Sequence, residues 1–68
     1  MPNFEMRYIV QDLESFEFLY PDPAGDIGLT PYIKLAGKFE TRDDALTAGM
    51  DEIGEQFAVF AFWEAVES

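Results

Sequence analysis

The sequence predicts a single small α+β domain, in which a four-stranded, mainly antiparallel sheet carries one helix on one face. Three observations predict this fold. Alternation of apolar and polar residues marks two strands near the N-terminus. An amphipathic stretch with its own capping signals marks a helix in the second half, and a nearly continuous apolar run follows it. The 68 residues permit one domain, residues 1–68, with the element order β-β-β-α-β.

The first two strands form a predicted hairpin. Residues 4–10 alternate between the two faces of a half-buried strand, residues 11–15 are polar enough to turn the chain, and residues 16–20 alternate again. Prolines and glycines between Pro21 and Pro31 predict a loop. A third strand is predicted from Tyr32 to Phe39.

A helix is predicted from Arg42 to Ile53. The Thr41 hydroxyl is placed to accept the backbone N–H of Asp44, as an N-cap does, and Gly54 is placed to end the helix. A step of 100° per residue puts five small or apolar residues on or beside the face expected to pack on the sheet: Leu46, Met50, Ile53, Ala45 and Gly49. Glycine inside a helix lowers its stability, so Gly49 indicates close packing on the sheet.

The last segment, Phe57 to Val66, is apolar on both faces as far as residue 63. This pattern predicts a central strand that is covered on both sides. A strand, helix and strand in succession usually form a right-handed crossover, so the third and fourth strands are expected to be parallel. One helix covers only one face of such a sheet, and the uncovered face is expected to bind a second copy or another partner.

Composition limits the chemistry that this chain offers. It carries 14 Asp and Glu against 4 Lys and Arg, a net charge of −10, and it has neither His nor Cys. Disulfides, the usual zinc ligands and a histidine or cysteine for catalysis are therefore excluded. We expect a protein that is not an enzyme and that uses no metal or cofactor. Direct binding of nucleic acid is disfavoured because it requires many Lys and Arg.

The sequence shows no targeting or membrane-spanning segment. No stretch approaches the roughly 18 apolar residues of a membrane span, and the first residues lack the charged and apolar regions of a signal peptide. We therefore expect a cytoplasmic protein that does not bind membranes.

The predicted helix carries acids on the side opposite its apolar face. Three of them fall within about 20° of one line, and three more flank that line: Asp44, Asp51 and Glu55, then Glu40, Asp43 and Glu52. Only Arg42 balances them, and no Lys follows at the i+4 positions that would pair with these acids. The row is either an ordinary solvated helix face or a partner-binding surface, and these six acids are the predicted partner-binding residues.

The aromatic residues of the last strand also have two interpretations, as core or as contact surface. Most of them, Phe57, Phe60 and Phe62, are predicted to be core, because a domain this small needs large apolar side chains inside. Trp63, near the end of the strand, is predicted to bind a partner, because Trp is enriched among the residues that dominate interface energies.

In size, charge and architecture the whole chain resembles the small acidic proteins of phages and mobile elements, particularly anti-CRISPR proteins and other inhibitors that mimic DNA. The resemblance lies in overall character and not in a shared motif. It implies a stoichiometric inhibitor that occupies a basic DNA-binding groove of a host defence protein. Two alternatives remain open: a homodimeric accessory module whose acidity serves solubility, and an antitoxin-like protein that neutralises a basic protein.

Overall fold

A computed structural model describes residues 2–21 and 25–67 of the chain. It contains a four-stranded antiparallel sheet in the order β3-β2-β1-β4 and one α-helix. The elements are, in chain order, β1 (Asn3–Asp12), β2 (Phe18–Pro21), β3 (Ile27–Thr30), a 3-10 turn (Ile33–Leu35), α1 (Arg42–Glu52) and β4 (Phe57–Val66). The predicted α+β class and the order β-β-β-α-β are therefore confirmed.

β1 and β2 form the predicted hairpin, but they pair only beside the turn, where Gln11 lies opposite Phe18. Asp12 holds the turn: its carboxylate accepts the Glu14 N–H at 2.8 Å and its carbonyl accepts the Phe16 N–H at 2.8 Å. The prediction that Phe16 belongs to the second strand was wrong. Phe16 lies in the connection with φ of +64°, a conformation that is uncommon for residues other than glycine.

The prediction for the third strand was also wrong. The strand is Ile27–Thr30, which lies inside the predicted loop and pairs antiparallel with β2. Residues 22–24 of that predicted loop lie outside the described residues. The predicted strand, Tyr32 to Phe39, is a 3-10 turn followed by extended chain. Its apolar composition resembled a strand, but only Ala36 and Phe39 of the segment pack on the sheet, whereas its other large apolar residues are exposed: Tyr32, Ile33 and Leu35.

The segment before α1 fills the gap where β1 and β2 diverge. The Gly37 N–H donates to the Leu19 carbonyl at 2.8 Å, while Tyr8 and Phe39 exchange both of their backbone hydrogen bonds, at 3.0 and 2.8 Å. Ala36 packs on one face of the sheet and Phe39 on the other. The chain therefore passes between the two strands and reaches the far face before the helix begins.

Helix α1 begins where the sequence predicts and ends within one residue of the prediction. The Thr41 Oγ1 accepts the Asp44 N–H at 3.1 Å. Gly54, with φ of +109°, follows the helix and donates its N–H to the Gly49 carbonyl at 2.9 Å. Glycine suits this position because it adopts positive φ without steric cost.

The face of α1 that packs on the sheet is centred on Ala45 and Gly49, predicted to lie beside that face, and Ile53 packs there as predicted. Met50, predicted to be core, is 65% exposed, whereas Ala45 is fully buried and Gly49 is buried. The ring of Phe57 fills the space beside Gly49, where a Cβ would lie 2.4 Å from its Cε2. Small residues bring the helix close to the sheet, so the large core side chains come from elsewhere in the chain. Periodicity favoured the larger apolar side chains of the helix and so selected a face turned by roughly 90°.

β4 is an edge strand and not the predicted central one. It pairs antiparallel with β1 over the whole length of both strands, from Asn3 opposite Val66 to Asp12 opposite Phe57. β3 lies at the other edge of the sheet, so the predicted parallel pairing of the third and fourth strands was wrong. The reason is that residues 37–39 pass between β2 and β1 after β3 ends. The helix and β4 therefore follow on the side of the sheet away from β3.

The core consists of two small clusters on opposite faces of the sheet. One cluster lies between α1 and the sheet and contains Val10, Leu19 and Ala45 of the helix. The other lies on the opposite face and contains Ile9, Phe18 and Ala36, which follows the 3-10 turn. Residues 3–6 and 63–66 belong to neither cluster and form a two-stranded ribbon beyond the core. The molecule is accordingly elongated, 39 × 23 × 18 Å. Its radius of gyration of 12.2 Å exceeds the roughly 10.9 Å expected for a compact domain of this length.

Candidate partner-binding surfaces

The six acids predicted to bind a partner are all exposed: Glu40, Asp43, Asp44, Asp51, Glu52 and Glu55. We call this set the acidic surface. Four of the six lie on α1, whereas Glu40 precedes the helix and Glu55 follows Gly54. The prediction that Glu55 continues the helical row was wrong, because the helix ends at Glu52. Among residues 2–21 and 25–67, none of the six acids forms an ion pair.

The ion pairs that do form lie on the opposite face of the sheet. The Arg7 Nη2 lies 3.0 Å from Glu5 Oε1, its Nε lies 3.4 Å from Glu64 Oε1, and the Lys38 ammonium contacts the other oxygen of Glu64. Lys34 lies on this face as well. Arg7, Lys34 and Lys38 therefore lie on the face of the sheet away from α1, although Lys38 is only two residues from Glu40 in the chain.

The carboxyl group of Glu64 shows the effect of these pairs. A hydrogen bond from Lys38 holds the pKa of Glu64 below its ordinary value. Partial burial, with 27% of the side chain exposed, acts in the opposite direction, and the positive charges of Lys38 and Arg7 add to the lowering. Glu64 is thus stabilised in its charged form by contacts within the chain.

Two further features of the described part of the chain concern metals and membranes. No three carboxylates there come close enough together to hold one metal ion. No helix there is both long enough and apolar enough to cross a membrane.

An apolar groove of about 610 Å³ opens on the face of the sheet away from α1. Seven apolar residues line it: Ile9, Phe18, Ile33, Ala36, Phe60, Ala61 and Phe62. Lys34 and Lys38 line it too. The uncovered face predicted from the sequence is present only in part, because Ala36, beside the 3-10 turn, packs on one portion of it.

The aromatic residues of β4 are less buried than predicted. Phe57 and Phe62 are half-buried, as part of the predicted core, but Phe60 is 46% exposed. Trp63 is 64% exposed and lies opposite Met6 in the ribbon. Its exposure agrees with the predicted contact role, and that role stays a prediction.

Sequence reasoning missed Phe4, which is 63% exposed. The alternating pattern places it on the same face of β1 as Val10, which is fully buried. The two residues differ because Val10 lies under α1 while Phe4 lies on the ribbon, beyond the core. Alternation identifies the face of a strand but not the position of a residue along it, so no signal in the sequence separates these two residues.

No protein-family model, curated protein or solved structure matches this chain. Function must therefore be inferred from these surfaces.

Proposed function

We propose that this protein is a non-enzymatic inhibitor whose acidic surface binds the basic, nucleic-acid-binding surface of another protein in the cytoplasm. One observation supports the proposal most strongly. The six acids of the acidic surface are exposed and form no ion pair within the described part of the chain. Arg7 and Lys38, which could neutralise them, are bound to Glu5 and Glu64 on the other face of the sheet.

The separation of charges gives the molecule one strongly negative side. Charges in solution at physiological salt are screened over about 8 Å, so the pairs around Glu64 do little to offset the four acids of α1 on the other side of the sheet. A surface of this kind accelerates association with a basic partner and excludes acidic ones. A protein that binds DNA phosphates presents the required basic groups. The overall resemblance to anti-CRISPR proteins favours a host defence protein as this partner.

The packing of α1 supports binding without rearrangement. The helix is capped at Thr41, and it lies against the sheet at Gly49 and the ring of Phe57. Its acids are therefore held on a rigid backbone before the partner arrives. Preorganisation of this kind reduces the conformational entropy that binding costs.

A capture experiment tests the proposal. The immobilised protein is exposed to nuclease-treated bacterial lysate at low salt, and bound proteins are eluted with increasing salt and identified. We expect basic, nucleic-acid-binding proteins that elute as salt rises, because screening weakens contacts between surface charges. Each purified partner is then mixed with labelled duplex DNA, and addition of this protein should displace the DNA. A partner that retains its DNA while binding this protein contradicts the proposal.

A variant with Asp44→Asn, Asp51→Lys and Glu55→Lys should lose capture and displacement. Asn is chosen at Asp44 because a basic residue in the first turn of a helix is unfavourable near the positive end of the helix dipole. Far-UV circular dichroism should show that the variant is folded.

The matched control changes the net charge by the same amount at acids outside the acidic surface, with Asp26→Lys, Glu67→Lys and Glu5→Gln. This control should retain capture. If both variants lose capture equally, net charge and not the acidic surface governs binding, and the assignment of the surface is wrong.

A further inference from the structure

The outer edge of β4 is a long strand edge without protection. β4 spans ten residues and pairs with β1 in an unbroken register, without a bulge. From Phe57 to Trp63 it contains no charged residue and no proline. Exposed edges in natural proteins are usually protected by lysine, proline, a bulge or a short strand. The other edge strand, β3, has only four residues and is followed by Pro31.

The hydrogen bonds of β1 show which backbone groups of β4 are free. Tyr8 exchanges both of its backbone bonds with Phe39, on the side of β1 away from β4. Neighbouring residues of a strand direct these groups to opposite edges, so Arg7 bonds to its partner Phe62. The odd-numbered residues of β4 therefore direct their N–H and C=O groups outward. No backbone group in the described part of the chain pairs with them.

The chain also exposes more surface than a monomer of its mass usually does. Its accessible surface is 4872 Å² for 7.7 kDa, whereas a compact monomer of that mass exposes about 4,300 Å². Two aromatic residues of β4 itself, Phe60 and Trp63, are 46% and 64% exposed. The surplus includes apolar side chains exposed on β4, which pairing with another strand would cover.

We propose that β4 pairs antiparallel with β4 of a second copy of this chain, about a two-fold axis at Ala61. Ala61 then lies opposite itself, Val59 opposite Trp63, and Phe57 opposite Ala65. This register uses nearly all of both strands. On the face of the sheet that carries α1, it sets the large side chains of Trp63 and Phe57 against the smaller ones of Val59 and Ala65. The outward groups of the odd residues form up to about ten hydrogen bonds between the copies.

The same register joins the apolar grooves of the two copies. Phe60 of each copy lies opposite Phe62 of the other on the groove side of the sheet, where aromatic pairs across strands are favourable. Glu64 is the one charged side chain of β4, and it is already bound to Lys38 and Arg7. No unpaired charge therefore lies within the paired strands themselves.

A second copy fits the edge better than an unrelated strand because two-fold pairing consumes both exposed β4 edges. Only the short β3 edges remain, so association stops at a dimer. The two-fold axis runs perpendicular to the joined sheet and places both α1 helices, with their acidic surfaces, on one side. Long-range repulsion between two chains of net charge −10 opposes pairing, so added salt strengthens the dimer.

Sedimentation of the full chain over a range of concentrations tests the proposal. We expect twice the chain mass at high concentration, and a larger dimer fraction as salt rises. Trp63 is the single tryptophan, and its fluorescence should shift to the blue as the dimer forms and removes it from water. Amide hydrogen exchange adds an internal control. The outward N–H groups of Val59, Ala61 and Trp63 should be protected only in the dimer, whereas that of Phe62 is protected in both states.

Disulfide trapping tests the register. The chain has no cysteine, so Ala61→Cys supplies one thiol per copy. Opposed residues of an H-bonded antiparallel pair have Cα atoms about 5.5 Å apart, within the range that a disulfide spans. This variant should form a cross-linked dimer under mild oxidation. The control, Ala65→Cys, should not, because the two copies of residue 65 would lie roughly 27 Å apart.

A further variant, Ala61→Pro, removes an N–H that bonds only between copies, and it should remain a folded monomer. A chain that stays monomeric at all concentrations overturns the proposal, as does a dimer that Ala61→Pro leaves intact and Ala61→Cys fails to trap. Neither result bears on the acidic surface, because partner capture weakens with salt while this self-association strengthens.

Discussion

Replacing Gly49 by alanine tests how closely α1 packs on the sheet. Alanine is more favourable than glycine inside a helix by up to about 1 kcal/mol. Its Cβ, however, would lie 2.4 Å from Cε2 and 2.6 Å from Cδ2 of the Phe57 ring, well inside the roughly 3.5–4.0 Å of a normal contact. Either the half-buried ring or the helix must shift, and overpacking of this kind costs about 1–3 kcal/mol. We expect the free energy of unfolding to fall by about 1 kcal/mol.

Urea unfolding followed by far-UV circular dichroism, at one fixed protein concentration, measures this change. A loss of about 1 kcal/mol corresponds to a fall in Tm of roughly 4–8 °C for a domain of this size. Thr47→Ala, on the exposed side of the same helix, is the control and should raise stability by a few tenths of a kcal/mol. In a Phe57→Leu background the smaller side chain should make Gly49→Ala less costly. If Gly49→Ala stabilises the protein as Thr47→Ala does, the reasoning about the ring contact is refuted.

Two further predictions concern single contacts. Thr41→Ala removes the side-chain acceptor of the Asp44 N–H and should lower the free energy of unfolding by about 1 kcal/mol. Thr41→Ser keeps a hydroxyl at this position and should retain most of the stability. Equal losses of stability in both variants would contradict the capping role. Lys38→Met should raise the pKa of Glu64, measured by NMR titration, because Lys38 is the main cause of its lowering. A carboxyl group whose folded pKa is lowered contributes stability at neutral pH, which is lost as pH falls through that pKa. Lys38→Met should therefore reduce the loss of stability on acidification. Lys34→Met is the control and should change neither the pKa of Glu64 nor the pH dependence of stability.

Much of the local structure was predictable from short-range signals. The N-cap at Thr41 and the glycine at 54 depend on residues within one helical turn, and the structure confirms both. Alternation likewise located the first hairpin. The third strand escaped prediction because it has only four residues, too few for a clear alternating pattern. The segment from Tyr32 to Phe39 was chosen instead because it is apolar, but it forms a 3-10 turn and extended chain.

For the candidate site, the exposure of the six acids was predictable, but the arrangement of the charges around them was not. All six acids of the acidic surface are exposed as expected, since burial of unpaired carboxylates is costly. The pairing of Arg7 and Lys38 with Glu64, far away in the chain, depends on how β4 lies against β1. The placement of these two cations on the face of the sheet away from α1 is thus a consequence of topology.

The sequence by itself determined the α+β class, the capped helix and the exposure of the acids, because each depends on composition or on neighbours within a few residues. Only the tertiary structure decided that β4 lies at an edge, that small residues of α1 face the sheet, and that Phe4 lies beyond the core while Val10 lies inside it. Periodicity states which face of an element is apolar. It does not state which element lies beside another. The outer edge of β4 is free because β4 has a neighbouring strand, β1, on one side only.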